Sequence, residues 1–211
     1  MTILFDLDGT LIDSTEAILY SFDYSFSKFG IKSPKDELIT PLIGVPLPQM
    51  FQKLGISDDL VDDMVKSYKE CYQKIHTQKT KLLPDSKEAL QIAKDIDATM
   101  AVVTSKTGKY SIELLEYFGI MKYFDTVVGS EDVTYHKPHP QPINTALKRL
   151  NKNTKDCYMI GDTCIDMSAA KNAKVKGLAL LCGYGDNDSL NRCSNNVFQS
   201  VKDAVTYIVN S

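Results

Sequence analysis

Asp6 and Asp8 stand two residues apart in the segment Phe5-Asp6-Leu7-Asp8-Gly9-Thr10, directly after the short apolar run Thr2 to Phe5. An apolar run that stops at Asp and Gly reads as a buried parallel strand. Two carboxylates leaving one strand end can divide their work, one facing a reaction centre and the other approaching it from the side. Three more signals lie at the ends of apolar runs. Val102-Val103-Thr104-Ser105 brings hydroxyls to a strand end, and Lys137 sits in a loop stiffened by Pro138, Pro140 and Pro142. Gly161-Asp162-Thr163-Cys164-Ile165-Asp166 supplies a second acidic pair. In an open parallel sheet, the carboxyl ends of strands are where ligands bind.

Four carboxylates, one lysine and hydroxyl donors suit phosphoryl transfer through a carboxylate nucleophile. An aspartate can attack phosphorus to give an acyl phosphate that water then cleaves. Repulsion between that anion and the phosphate is the obstacle, and carboxylate ligands select a hard cation such as Mg²⁺ to offset it. Lys137 and Thr104 can grip the phosphoryl oxygens. Gly9, Thr10 and Ser105 are counted with them as phosphate-binding candidates, Thr10 mainly as support for its loop. Asp8 is the candidate general acid for the leaving oxygen and later the base that activates water.

The elements that must hold these groups alternate after Pro84. The pattern predicts helices over 86–94, 108–118, 141–150, 166–172 and 201–209. Between them it predicts strands over 99–103, 126–128, 157–160 and 177–181, and a weak strand near Val197. Such alternation implies an α/β fold, a Rossmann-like parallel sheet with helices on both faces. Only helical patterns lie between the first strand and Leu82, the longest running from Leu60 to Ile75. The expected organisation is therefore an α/β catalytic core (1–13 and 82–211) carrying an inserted all-helical cap, or lid (14–81). Asp13 and Ser14 read as caps of the first lid helix. Tyr20, Phe22, Tyr24, Phe26 and Phe29 crowd that helix, and most are expected to pack within the lid. Gly44 is the lid residue expected nearest a substrate, because a glycine turn allows close backbone approach.

Composition narrows the function classes. Of 211 residues, 43% are hydrophobic and 24% charged, ordinary globular usage. A net charge of -3 with scattered basic residues argues against nucleic-acid binding. No apolar run reaches the ~20 residues of a membrane span. The N-terminal apolar stretch meets Asp6 at once, so the chain reads as cytoplasmic. Five cysteines without C-x-x-C spacing point to buried free thiols rather than disulfides or zinc. The histidines lack metal-ligand spacing and read as satisfied or exposed side chains. Gly183-Tyr184-Gly185 before Asp186 reads as a flexible loop, since the third glycine of a dinucleotide fingerprint is missing.

Taken together, Asp6-x-Asp8-x-Thr10, Thr104, Lys137 and Gly161-Asp162-x-x-x-Asp166 resemble the haloacid dehalogenase-like (HAD) superfamily in order and spacing. The resemblance covers nearly the whole chain. It implies Asp6 as nucleophile, Asp8 as acid/base, and Thr104 and Lys137 on the phosphoryl group. It further implies Mg²⁺ held by Asp6, the Asp8 backbone carbonyl and Asp162, with Asp166 supporting the metal shell. Asp6 to Ser14, Leu42 to Leu47 and Gly161-Asp162-Thr163 look like the phosphoglycolate-phosphatase type. Ser105 in place of a common asparagine, Asp85 in place of glycine and Gln141 in place of aspartate depart from that pattern. The expected partner is a small phosphorylated metabolite, with no nucleic acid or membrane, acting on a monomer or weak homodimer. A phosphomutase of the β-phosphoglucomutase kind shares these motifs. A regulatory module in which Asp6 is only a phospho-acceptor is the non-enzymatic rival.

Overall fold

A computed structural model describes residues 1–211. The chain enters on β1 (Thr2–Phe5) and a short β2 (Ile12–Asp13), then runs only in helices. These are α1 (Thr15–Lys28), α2 (Asp36–Ile39), α3 (Leu47–Lys53) and α4 (Asp58–Ile75). β3 (Lys81–Leu82) returns to pair antiparallel with β2. The alternating part follows as α5 (Ser86–Asp95), β4 (Thr99–Val103), α6 (Gly108–Tyr117), β5 (Thr126–Val128) and α7 (Gln141–Arg149). It closes with β6 (Cys157–Gly161), α8 (Cys164–Ala173), β7 (Lys176–Leu180), α9 (Asn187–Cys193), β8 (Val197–Phe198) and α10 (Val201–Val209).

Six strands form one sheet in the order β5-β4-β1-β6-β7-β8, every neighbouring pair parallel. β1 lies between β4 and β6, so the chain winds outward on both sides of it. That places a crevice beyond the carboxyl end of β1, where Asp6 emerges. All four residues of β1 are buried, and successive side chains face opposite ways. Ile3 and Phe5 join a 24-residue cluster with Met100, Val102 and residues of α5, α6 and α10. Leu4 faces the other layer with Ala101, Val103, Met159 and residues of α7 and α8. Burial of each such side chain stabilises by roughly 1.5–3 kcal/mol, which fixes where β1 ends.

α1 to α4 build their own apolar cluster around Phe22, Phe26, Phe51, Met64, Tyr68 and Tyr72. Phe22 and Phe51 pack with centroids 4.8 Å apart and ring planes tilted by 47°. Tyr20 and Tyr24, on the other face of α1, are exposed. No helix is long and apolar enough to cross a membrane.

Three features differ from the sequence reading. The β2–β3 ribbon, two residues per strand, is too short to leave a periodic signal, yet it joins the helical insertion to the core. α9 occupies a stretch too polar to show a helical stripe. The expectation of free thiols fails for two cysteines: Cys164 and Cys193 form a disulfide with Cα atoms 5.7 Å apart. They are 29 residues apart in sequence and meet because α8 and α9 pack together. Cys71 and Cys157 are buried free thiols, and Cys182 is free and exposed. Asp85 has a φ of +65°, in the left-handed region that explains why a glycine suits this turn.

Candidate active site

Strand ends deliver the four sequence signals to one place. β1 ends at Phe5, β4 at Val103 and β6 at Gly161, so Asp6, Thr104 and Asp162 emerge side by side. Lys137, preceding a cis peptide bond to Pro138, reaches in from the loop before α7. Its Nζ lies 3.0 Å from Asp6 Oδ1 and 2.5 Å from Asp166 Oδ1. It also donates to the Val103 carbonyl at 3.2 Å. Burial alone would strip Lys137 of its charge, but Asp166 and Asp6 outweigh that and hold its pKa above the ordinary lysine value.

Asp166 is saturated by protein groups. Its Oδ1 takes Lys137, and its Oδ2 accepts from the Thr163 amide at 3.1 Å and the Thr163 hydroxyl at 2.7 Å. It thus ties the start of α8 to the lysine. Asp162 is different, because its partners are neutral. Thr10 Oγ1 donates to Oδ1 at 3.2 Å and the Tyr184 amide to Oδ2 at 2.7 Å.

Carboxylate oxygens of Asp6, Asp162 and Asp166 lie within 4.8 Å of one another, and all three residues are buried. Burial pushes the Asp6 carboxyl up to about 7, against the pull of Lys137 and with repulsion from Asp166. Burial, then repulsion from Asp166 and Asp6, pushes Asp162 well above the usual carboxylate range. One lysine therefore leaves this group short of positive charge on the Asp162 side. An all-oxygen donor set with that deficit fits a hard divalent cation.

The second aspartate of the first motif stands beside this cluster. Asp8 accepts a hydrogen bond from Ser14 Oγ through Oδ1 and pairs with Lys106 Nζ at 3.1 Å through Oδ2. The sequence reading gave Ser14 a capping role, but its hydroxyl is spent on Asp8. The turn at α1 is closed instead by Asp13, whose Oδ1 accepts from the Thr15 amide at 3.0 Å. Lys106 was not foreseen as a site residue. It follows Thr104 and Ser105 directly, its amide donates to Thr104 Oγ1 at 3.2 Å, and its side chain is 9% exposed.

A cavity of about 330 Å³ opens over Asp6 and Asp8 between core and insertion. Thr104, Ser105 and Lys106 line it from the core, with Gly44, Leu47, Tyr68 and Tyr72 from the insertion. Ser105 Oγ is shielded from solvent and has no protein partner. Gly44 has a φ of +101°, lines the cavity and lies near Thr163. Gly9, at φ +77°, approaches Asp162 so closely that a β-carbon would lie 2.2 Å from Oδ2.

The supposedly flexible Gly183-Tyr184-Gly185 loop packs against the same carboxylate. Its Tyr184 hydroxyl reaches Thr15 Oγ1 at 3.1 Å, linking the Asp162 side of the site to the first turn of α1. His76 is buried, stacks on Tyr72, shares a hydrogen bond through Nδ1 with the Tyr72 carbonyl at 3.1 Å, and its Nε2 lies 3.0 Å from Glu113 of α6.

Residues 3–180 match the family model described as haloacid dehalogenase-like hydrolase. The chain belongs to the haloacid dehalogenase-like hydrolase family. It is an enzyme of that family's phosphatase type. A pyrophosphatase PpaX of Bacillus velezensis is 33% identical over 202 residues, covering 92% of this chain and 93% of the relative. A phosphoglycolate phosphatase of Vibrio parahaemolyticus is 30% identical over 197 residues, covering 89% and 86%. Among solved structures, a predicted phosphatase from Clostridium acetobutylicum superposes with a TM-score of 0.91 at 28% identity, covering 100% of this chain and 98% of that one. This haloacid dehalogenase-like fold accounts for the sheet, the helical insertion and the place of the crevice.

Proposed function

We propose that this hydrolase cleaves a small phosphate monoester, phosphoglycolate-like, in two steps through a phosphorylated Asp6, with Mg²⁺ as cofactor. The observation that carries the reading is the pairing of Lys137 Nζ at 3.0 Å with Oδ1 of Asp6, which lines the cavity together with Asp8. A nucleophile already paired with a cation meets a phosphoryl group whose charge that cation can share.

Asp6 attacks phosphorus as the P–O bond to the leaving group breaks. Asp8 donates a proton to the departing oxygen. It then takes a proton from the water that attacks phospho-Asp6, releasing phosphate and restoring the carboxylate. Lys137 and the Thr104 hydroxyl hold the phosphoryl oxygens, and the Ser105 hydroxyl is free to join them. Asp6 and Asp162, with the Asp8 carbonyl, would hold Mg²⁺, while Asp166 orients Lys137 and α8. When bound, the cation neutralises charge between nucleophile and phosphate.

The helical insertion over residues 14–81 acts as a lid: it walls the cavity from above and excludes water. Pyrophosphate is a second substrate reading, favoured by the pyrophosphatase name of the 33% identical relative.

Asp6→Asn separates this reading from its rivals. Wild-type enzyme with Mg²⁺ is expected to release phosphate from phosphoglycolate or pyrophosphate, and the variant to lose at least about 10³-fold in rate. Turnover by the variant near the wild-type rate, with correct folding by circular dichroism, would remove Asp6 as nucleophile. An isomerised sugar phosphate in place of free phosphate would make the enzyme a mutase.

A further inference from the structure

Lys106 is the one buried cation near the site that the phosphoryl-transfer reading leaves without a task. Its side chain is 9% exposed, and its Nζ contacts Asp8 Oδ2 at 3.1 Å and donates to the Tyr72 hydroxyl at 2.8 Å. The ammonium also lies over the Tyr72 ring, 4.5 Å from its centroid. A lysine has three donors, so these partners leave one for the cavity that Lys106 lines. Besides Asp6 and Asp8 the lining carries one more acidic side chain, Glu131, which makes no ion pair with Lys106. Both Glu131 oxygens already accept from the Gly108 amide, at 2.9 and 3.0 Å.

The rest of the lining restricts what could bind there. Ile18, Ile43, Val45, Leu47, Met50 and Val65 make much of the wall apolar. Tyr68, Thr107, Tyr110 and Ser130 add hydroxyls to that lining and Lys69 is exposed, so the one dry ammonium there is that of Lys106, and a dry ammonium binds an oxyanion strongly. Position sets the reach. The leaving oxygen must come within a hydrogen bond of Asp8, and Lys106 Nζ is 3.1 Å from Asp8. An oxyanion about 2.8 Å from that ammonium therefore lies within a few bonds of the leaving oxygen. Because Lys106 follows Thr104 and Ser105 without a gap, one loop would fix both ends of such a substrate.

We propose that Lys106 binds a second oxyanion of the substrate, carboxylate or phosphate, carried within a few bonds of the leaving oxygen. Lys106 is thereby the residue that makes the enzyme prefer doubly anionic phosphate compounds over neutral-tailed esters. The inference rests on the reading of Asp6 and Asp8 as the groups that carry phosphoryl transfer.

The test compares kcat/KM for phosphoglycolate, pyrophosphate and 2-hydroxyethyl phosphate, whose tail is neutral, in wild type, Lys106→Met and Lys106→Arg. Wild type is expected to favour at least one doubly anionic substrate, and the better of the two identifies the oxyanion. In Lys106→Met the ratio of that substrate to 2-hydroxyethyl phosphate is expected to fall about 10- to 100-fold, the worth of one charge-assisted hydrogen bond. Lys106→Arg keeps the charge and should retain most of the ratio. A merely structural lysine would lower all three rates together and leave the ratio in place, which overturns the proposal. So does a wild-type enzyme that hydrolyses neutral and charged substrates equally, a comparison that stands even if Lys106→Met does not fold. If wild type with Mg²⁺ releases no phosphate from any of the three, the proposed substrate reading falls, and the inference with it.

Discussion

Gly183 presses on Asp162: a β-carbon at residue 183 would lie 2.2 Å from Asp162 Oδ2 and 2.4 Å from the Gly9 carbonyl. Gly9 comes as close to the same carboxylate oxygen from the other side. Two glycine backbones thus clamp the carboxylate that has no cation of its own.

Gly183→Ala is accordingly expected to displace Asp162 or the loop, although residue 183 belongs to none of the four motifs. Mg²⁺ affinity and phosphate release should each drop by about 10- to 100-fold, as for loss of a group that orients a metal ligand. Gly119→Ala is the control, because its φ of +68° is strained but nothing lies within 4 Å of the added carbon. That variant should cost about 1 kcal/mol of stability and leave Mg²⁺ binding alone. Calorimetric Mg²⁺ titrations of the two variants decide the matter; equal affinities would mean the clamp has no role.

Lys137 is the only cation paired with Asp6 and Asp166. Lys137→Met would leave two buried carboxylates facing each other, a change that typically costs about 3–5 kcal/mol. Denaturant unfolding in EDTA should show that loss, and added Mg²⁺ should recover part of it by binding the folded state. Phosphate release should fall at least about 10²-fold, since a charge aimed at the phosphoryl group is gone. Unchanged stability in EDTA would mean that the carboxylates do not depend on the lysine.

Most of the sheet and the four motifs could be read from the chain because their signals are local. Thr99 to Val103 and Cys157 to Ile160 are apolar runs cut off by polar residues, and each cut marks a strand end facing the crevice. Longer-range features left no such trace. Ser14 looked like a cap because the sequence does not say that the turn at Thr10 returns it to Asp8. Lys106 went unnoticed because one of its partners, Tyr72, comes from an insertion whose docking no local pattern encodes. Gly183 and the Cys164–Cys193 pair depend on how the segment after β7 folds back over α8. Sequence spacing reveals which residues share a strand end, and misses those that meet only through packing.

Gly44 tests the insertion's part in the cavity. Its φ of +101° is one that residues with side chains rarely adopt, whereas a β-carbon there would meet Thr163 Cγ2 at an ordinary 3.7 Å. Gly44→Ala should therefore act through the backbone rather than by a clash, straining a loop that lines the cavity. The expected result is a KM raised several-fold on the best substrate, with a fall in Tm of a few degrees at most. A variant with wild-type KM and kcat would show that this loop does not meet the substrate.

Protons and Mg²⁺ should compete for Asp6, and the sign follows from its environment. Burial raises the carboxyl from 3.8 to about 7, despite Lys137, with Asp166 adding to the rise. Without metal, the folded protein then keeps a proton that the unfolded chain gives up. Between about pH 4 and 7 the folded state binds more protons at Asp6, so the share of metal-free stability due to Asp6 falls as pH rises across that window and levels off above it, while Asp162, pushed well above the usual range by burial, extends the fall. Mg²⁺ needs the ionised carboxylate and must displace that proton. Its affinity should rise with pH up to about 7, by as much as about tenfold per unit for one displaced proton, and then flatten. Titrations from pH 5.5 to 8.5 in buffers of different ionisation enthalpy would measure both the affinity and the proton release. Asp6→Asn should abolish its share of the released protons. A Kd that stays constant from pH 5.5 to 7 would show that Asp6 is already ionised before the cation arrives.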